Sequence, residues 1–382
     1  MTGFILWLLW ETFQNNEEPL PYPSSPIVRV LLLENIQKIS VSTLDEKLFV
    51  ESPGFSSPME IQPQGEFSIE LSEGKFNFDH RQRECSSMTL YTVSEQLLMN
   101  GQPYIGKIVL HVHRTPDKFD VVLHTHLENY VARVVNGEMK HSWPQASLEA
   151  QAIAARSFAA YHLLRRSSRP YDLRGDARAQ AFARFEEHSR CRNAAVRTQG
   201  IVLLQNNSPL LAYYVNTCGG STRTFAQANM RYEAVPCSHC EGSPFQVWQE
   251  QIPEHIIRAL LGKRLATNIP LTKVSLEYEA SQHVDSLIFM PDSGPALKVK
   301  GLDFRRYLNA AMGKEVAKSM RFDLSYKDRH WILVGHGWGY HGIGLCQYGA
   351  KRLGELGQSS TEILRYYYPN TEIGALPSNL FL

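Results

Sequence analysis

From Gly335 to Ala350 the chain reads Gly-His-Gly-Trp-Gly-Tyr-His-Gly-Ile-Gly-Leu-Cys-Gln-Tyr-Gly-Ala. Glycine alternating with His336, Trp338, His341 and Gln347 forgoes helix and strand propensity and gains unusual backbone angles and close approach to a ligand. Aromatic faces such as those of Trp338 and Tyr348 suit sugar rings, and imidazole or carboxamide groups suit sugar hydroxyls. The stretch holds no Asp or Glu, so it offers a binding floor and no acid. The other reading is a glycine-rich turn whose aromatics pack into the core.

An acid stands elsewhere. Leu127, Tyr130, Val131, Val134 and Val135 recur at helical spacing, which predicts a helix ending near Asn136-Gly137, with Glu138 immediately after the glycine. Pro144 suits the first turn of a second helix, whose Ala-rich body runs through Ala160 and permits close packing. A carboxylate in the crook between two buried helices is partly desolvated, which raises its pKa toward the range a general acid needs. From the residues alone, a C-terminal cap or a surface carboxylate is the favoured reading of Glu138.

Six cysteines are present: Cys85, Cys191, Cys218, Cys237, Cys240 and Cys346. Cys237-Ser238-His239-Cys240 is a compact cluster, and Cys218 lies within reach of a closing loop. Cys218, Cys237, His239 and Cys240 would satisfy a tetrahedral structural zinc, although His239, between two cysteines, is poorly aimed at a shared metal. Disulfides and free thiols remain open beside zinc.

The elements that must position these groups are legible in outline. Runs rich in β-formers at Ile27–Leu33, Ile39–Thr43, Lys47–Glu51, Glu66–Leu71, Met88–Val93 and Ile105–His113 are separated by turn signals, among them a hairpin turn at Asn100-Gly101. Phe119–His124 predicts a strand feeding the helix at Leu127. Gly200–Leu204 and Leu210–Asn216 predict a hairpin across Asn206-Asn207-Ser208. Trp248 with Ile256, Ile257, Leu260 and Leu261 predicts a helix. Val274–Tyr278, Ser286–Met290 and Ala296–Lys300 predict a meander, followed by a helix at 301–308. Ser360 with Glu362 predicts a helix start, and Tyr367-Tyr368-Pro369 its end. The fold class is therefore α+β. A β-rich N-terminal domain (27–115) precedes a mixed helix and sheet domain (116–382) with a substrate groove, after an apolar stretch and proline-rich linker (1–26).

With 382 residues, 43% of them hydrophobic, the chain can bury a core and exceeds what one compact core usually holds. A formal net charge of +1 gives no electrostatic reason to expect a nucleic acid partner. Gly3–Trp10 is apolar but too short to span a bilayer, and no Lys or Arg precedes it. It reads as a degenerate export signal, with membrane association at the N-terminus, or as a plain terminus.

The segment Leu127–Tyr161, LENYVARVVNGEMKHSWPQASLEAQAIAARSFAAY, and the residues after Ala350, KRLGELGQSSTEILRYYYPNTEI, closely resemble the stage II sporulation protein D family, which includes the amidase enhancers. The resemblance rests on the Leu-Glu-x-Tyr-Val helix start, Glu138-Met139, Trp143-Pro144, the Ala-Gln-Ala-x-Ala-Ala-Arg run ending at Arg156, Cys218-Gly219-Gly220-Ser221-Thr222, the glycine loop, and Tyr-Tyr-Pro before Asn370. It covers roughly 105 to 375 in unbroken order. It implies lytic transglycosylation of peptidoglycan glycan strands, with strands stripped of stem peptides as substrate and Glu138 as catalytic acid. Glu138 would protonate the glycosidic oxygen and then take the proton from the sugar's own 6-hydroxyl, leaving a 1,6-anhydro end. His341 and Gln347 align with the family's loop His and Gln and are assigned to sugar binding. Arg156 is assigned to a carboxylate, Glu138 among the candidates, or to a substrate group. Asp176–Gln180 is similar to a substrate-facing Asp-x-x-x-Gln of the family. One departure is Tyr340, inserted before His341 where relatives run Gly-Trp-Gly-His-Gly. An extra residue in so tight a loop would turn or bulge it at His341, for which His336 could substitute; both are kept as candidates, His341 first.

The resemblance also implies export to the periplasm or the wall side of the inner membrane. It leaves a second function, a non-catalytic wall-binding activator of a cell-wall amidase. A zinc hydrolase built on the cysteines is a third and weaker reading.

Overall fold

The computed structural model describes residues 25–381 apart from 44–45, 63–64, 79, 167, 177–178, 184–187, 228–229 and 263–268. The apolar stretch Gly3–Trp10 and all but the last two residues of the proline-rich linker lie outside the described residues. Helices and largely antiparallel strands make the fold α+β. The chain divides into two compact units, one comprising residues 1–143, 155–202 and 374–382, the other 144–154 and 203–373.

In the first unit the strand Phe119–His126 pairs antiparallel with Ile27–Ile36 on one side and Lys107–Val112 on the other, inside a seven-stranded sheet. Phe119, Val121 and Val122 are fully buried, as expected of a strand covered on both faces. A six-stranded sheet lies in the same unit, and the expected hairpin turn is there: Asn100 (φ 49°) and Gly101 (φ 70°) join Gln96–Met99 to Gln102–Ile105. Both positive angles are those a two-residue type I′ turn demands. At one margin of that sheet stands Arg81–Arg83, wholly exposed; its charges discourage further strand pairing. Met59–Ile61, Lys75–Phe78, Arg81–Arg83, Gln96–Met99 and Gln102–Ile105 are strands of three or four residues, too brief to show alternation above background in the sequence.

His126 passes without a loop into the helix Leu127–Glu138, whose first nine residues are all buried. The helix Gln145–Leu163 begins beside Pro144, whose carbonyl accepts from the Ser147 and Leu148 amides. Its alanines let neighbours approach on nearly every side, and residues 150 to 160 are buried throughout. A shorter helix, Ser189–Arg197, follows.

The second unit holds two three-stranded antiparallel sheets, Val247–Pro253 with His330–His336 and Arg321–Lys327, and Leu271–Tyr278 with Val284–Pro291 and Leu297–Lys300. Trp331, Phe289, Phe304, Phe322 and Leu333 fill the core they share with the helices Glu254–Leu261 and Gly301–Met312. The expected meander and its following helix are thus present. Trp248 is not helical: it sits in the strand Val247–Pro253, whose alternating burial was masked in the sequence by charged and amide residues on the open face. The expected hairpin turns at Asn206-Asn207 (φ 54° and 57°), yet it pairs only Leu204 with Pro209 and Gln205 with Ser208. The chain then turns away, and Tyr214–Val215 pairs in parallel with Leu345–Cys346 instead.

Candidate functional site

Glu138 is the last residue of its helix and is half-buried. The segment 179–183 arches over that helix end. The Ala181 amide donates to Glu138 Oε1 at 2.7 Å, the Ala183 amide donates to the Arg133 carbonyl, and Arg133 returns a bond to the Ala183 carbonyl. Gly137 is what permits this approach, since a Cβ there would sit 2.2 Å from the Ala181 carbonyl oxygen. Gln180, fully buried, accepts from the Tyr130 hydroxyl at 3.1 Å. Burial pushes the Tyr130 phenol upward and the Glu138 charge adds to it, so Tyr130 stays a neutral donor. Asp176, the other end of the Asp-x-x-x-Gln spacing, pairs with Arg174. Gln180 therefore anchors the arch over Glu138 and is not displayed to a ligand.

Near the same helix end, His141 and His188 meet edge to face with ring centroids 4.0 Å apart, and the His188 amide donates to Asn136 Oδ1. Sequence reasoning passed over both histidines, 47 residues apart with no motif to link them.

Arg156 pairs with Glu128, not with Glu138. Its guanidinium is fully buried and forks onto both oxygens of Glu128, at 2.6 and 2.9 Å, with further bonds to Thr198 Oγ1 and the Ala195 and Ile201 carbonyls. Glu128 also accepts from the Gly200 amide. All of the guanidinium donors have protein partners, which makes Arg156 a structural tie among three elements.

In the second unit the stretch that opens at Gly335 is not loop throughout. Gly335 and His336 complete the strand His330–His336, Leu345–Cys346 is a short strand, and Gln347 begins the helix Gln347–Glu355. The glycine loop proper is 337–344. It is pinned by backbone: Trp338 and Thr217 exchange both hydrogen bonds, the Gly337 amide donates to Phe245, and Gly339 donates to Lys318. Gly337 (φ 81°) and Gly344 (φ 76°) lie in the left-handed region, and a Cβ would meet the Thr217 carbonyl at 2.4 Å and the Tyr213 carbonyl at 1.9 Å. Trp248 wedges beneath, donating its indole N–H to the Gly337 carbonyl at 2.7 Å.

Trp338 stays part-exposed, packed on Phe245 with centroids 4.0 Å apart, and its indole donates to Glu315 at 2.8 Å. Glu315 also pairs with Arg305 at 2.7 Å, and the Arg305 guanidinium lies over the Tyr340 ring. The chain thus brings a carboxylate to a loop that has none of its own. The inserted Tyr340 projects outward, 52% exposed, so the extra residue is accommodated as a bulge. His341 is part-exposed against Tyr213, and its Nδ1 accepts from the Ile343 amide. Burial, with Arg223 and Arg305 adding, pushes its imidazole down to about 4, which keeps the ring neutral near pH 7. His336 is part-buried in its strand. Gln347 is buried and donates to Gln151 Oε1 at 3.3 Å. Tyr348 is part-exposed, and its amide donates to the Asn216 carbonyl. Tyr367 and Tyr368 are buried as core, the Tyr368 hydroxyl accepting from the Leu345 amide and donating to the Tyr213 carbonyl at 2.6 Å.

Behind the loop the Sγ atoms of Cys218, Cys237, Cys240 and Cys346, all buried, lie within 4.8 Å of one another. His239 is not among them: it points to the Tyr366 ring, centroids 5.5 Å apart, because neighbouring positions in the Cys-Ser-His-Cys turn face different ways. The fourth member is Cys346, from the far end of the glycine loop, 128 residues from Cys218. No two of the six cysteines are joined. Burial pushes the Cys346 thiol up and contact with Cys237 pushes Cys218 up, while hydrogen bonding from Cys218 pulls Cys240 down.

Residues 115–204 match the family described as Stage II sporulation protein. The chain is similar to Stage II sporulation protein D of Bacillus amyloliquefaciens, 26% identical across 78% of this chain and 88% of that one. An uncharacterized protein of Brachyspira hyodysenteriae is 27% identical across 74% and 76% of the two chains. The amidase enhancer of Bacillus subtilis is 22% identical across 81% of this chain and 50% of its own length. The matched segment contains Glu138, its arch and the buried Arg156 pair, and similarity to relatives extends over most of the chain, which together support placing it with the stage II sporulation protein D family.

Proposed function

We propose that this protein is a peptidoglycan lytic transglycosylase that cleaves glycan strands, with strands stripped of stem peptides preferred, in remodelling of the cell wall. The observation that carries the reading is the placement of Glu138: a half-buried carboxyl at a helix end, oriented by the Ala181 amide. In this scheme Glu138 gives its proton to the glycosidic oxygen as that bond breaks, an oxocarbenium-like centre forms at C1, and the resulting carboxylate takes the proton from the 6-hydroxyl as its oxygen closes on C1. One carboxyl serves twice and no water is consumed, unlike hydrolases with two flanking carboxylates. Trp338, Tyr340 and the neutral His341 supply ring-stacking and hydroxyl contacts for sugars, with His336 and Tyr348 beside them. The setting for this activity is the wall side of the membrane.

A second reading has its own support. Similarity to an amidase enhancer over 81% of this chain fits a wall-binding activator of an amidase, for which the glycine loop alone would suffice.

Purified protein incubated with glycan strands, with and without stem peptides, and read by mass spectrometry separates the two. Strands ending in 1,6-anhydro sugars, absent with Glu138→Gln, support the lyase. No cleavage by the natural protein, or equal cleavage by the variant, rejects it.

A further inference from the structure

Cys218, Cys237, Cys240 and Cys346 all lie outside the segment 115–204 that matches the family and take no part in the chemistry proposed for Glu138. We propose that these four form a tetrathiolate site for one zinc ion, and that the ion fastens the end of the glycine loop to two remote parts of the chain.

Four sulfurs at ~2.3 Å from a common tetrahedral centre stand ~3.8 Å apart. Here Cys218 Sγ and Cys240 Sγ are 3.7 Å apart, and every pair falls within 4.8 Å. A disulfide needs ~2.05 Å, and a packed cluster of neutral thiols has no reason to draw four sulfurs toward one point. The surroundings are built for anionic sulfur. The Cys218 amide donates to Cys346 Sγ at 3.3 Å, and the Tyr367 hydroxyl lies 3.2 Å from Cys237 Sγ. Such donors to ligating sulfur orient the ligands and offset their charge. Gly349 keeps the site open: a Cβ there would lie 1.9 Å from the Tyr367 hydroxyl and 3.0 Å from Cys237 Sγ. On binding, zinc enters as the dication, each thiol releases its proton to the buffer, and no electron moves.

The ligand set differs from the one that spacing suggests by exchanging His239 for Cys346, and that exchange gives the site its task. Cys346 is the residue before the helix Gln347–Glu355 and pairs through Leu345–Cys346 with Tyr214–Val215. Cys218 follows Thr217, whose backbone holds Trp338. A bound ion therefore clamps both ends of the loop 337–344 to the Cys237–Cys240 turn, independently of whether the loop binds sugar.

The test uses the full-length protein purified without added zinc. Elemental analysis is expected to give one zinc per chain. A mercurial that caps thiols should release it with four thiols consumed. Cobalt exchanged into the site should show the sulfur-to-metal absorption of a tetrathiolate. His239→Ala should keep the full equivalent and Cys346→Ser should lose it on dialysis. In the natural protein, chelation should speed amide exchange at least about tenfold in residues 337–348, with residues 284–300 unchanged. If Cys346→Ser does not fold, thiol mapping of the natural protein decides. Four cysteines protected from alkylation until chelator is added support the site. A disulfide among them, four thiols that alkylate freely with no metal present, or loss of metal on His239→Ala overturns it.

Discussion

Exchanging the Glu138 carboxyl for an amide keeps an oxygen for the Ala181 amide to bond and removes only the transferable proton. Glu138→Gln is therefore expected to match the natural protein in melting temperature while losing roughly 10²–10⁴-fold in strand cleavage, the usual share of general acid–base catalysis. Gly137 is a sharper probe of position. Gly137→Ala drives a methyl into the Ala181 carbonyl, and overpacking of that kind costs roughly 1–3 kcal/mol. The arch must then lift from Glu138, so activity should fall by more than the loss of folded protein explains, measured as turnover per folded molecule after a denaturant titration. Sequence reasoning found Glu138 through the helix pattern and the family likeness. It singled out Gln180 only as substrate-facing and could not find the arch, because Ala181 acts through its backbone amide and the Gln180 side chain through a buried bond from Tyr130, neither of which residue type alone shows.

At the scale of elements, Arg156 joins the helix Gln145–Leu163 to the start of Leu127–Glu138 and to the end of Ser189–Arg197. Removing one member of a buried ion pair costs about 3–5 kcal/mol. Arg156→Ala should fall in that range by urea unfolding, and Arg156→Lys should recover little, since one ammonium cannot replace a forked guanidinium. Neither should alter KM for glycan strands in whatever protein remains folded; a selective rise in KM would return Arg156 to a role in binding. The strand Phe119–His126, the helix after it, the Asn100-Gly101 turn and the meander were legible because each carries a strong period or an unambiguous turn. Trp248 was misassigned because an indole next to an apolar run reads as helix, whereas its neighbours across the strand, Gly335 and Val334, come from 86 and more residues away. His239 was grouped with the cysteines on proximity in sequence, and Cys346 was left out of the cluster for the same reason reversed.

For the molecule as a whole, acid is the expected weakness. His124, His283 and His341 are each pushed down to about 4, chiefly by burial. Between that value and the ordinary ~6.5 the unfolded chain binds more protons than the folded one, so stability is complete above the upper limit and is lost as pH falls through the window. His283, 2% exposed, should alone account for up to about 3 kcal/mol of that loss. Melting temperature followed from pH 7 to pH 4 should drop, and His283→Gln should flatten the drop; a flat profile in the natural protein would contradict the burial of these rings. A last consequence comes from the glycines of the loop. Gly335 is filled by the Trp248 indole, Gly342 by the His283 ring, and Gly337 and Gly344 by the Thr217 and Tyr213 carbonyls. Those four places are therefore largely closed to larger side chains. Drift is left to the side chains between them, above all outward-facing Tyr340, whose charged neighbour there is the Arg305 guanidinium over its ring.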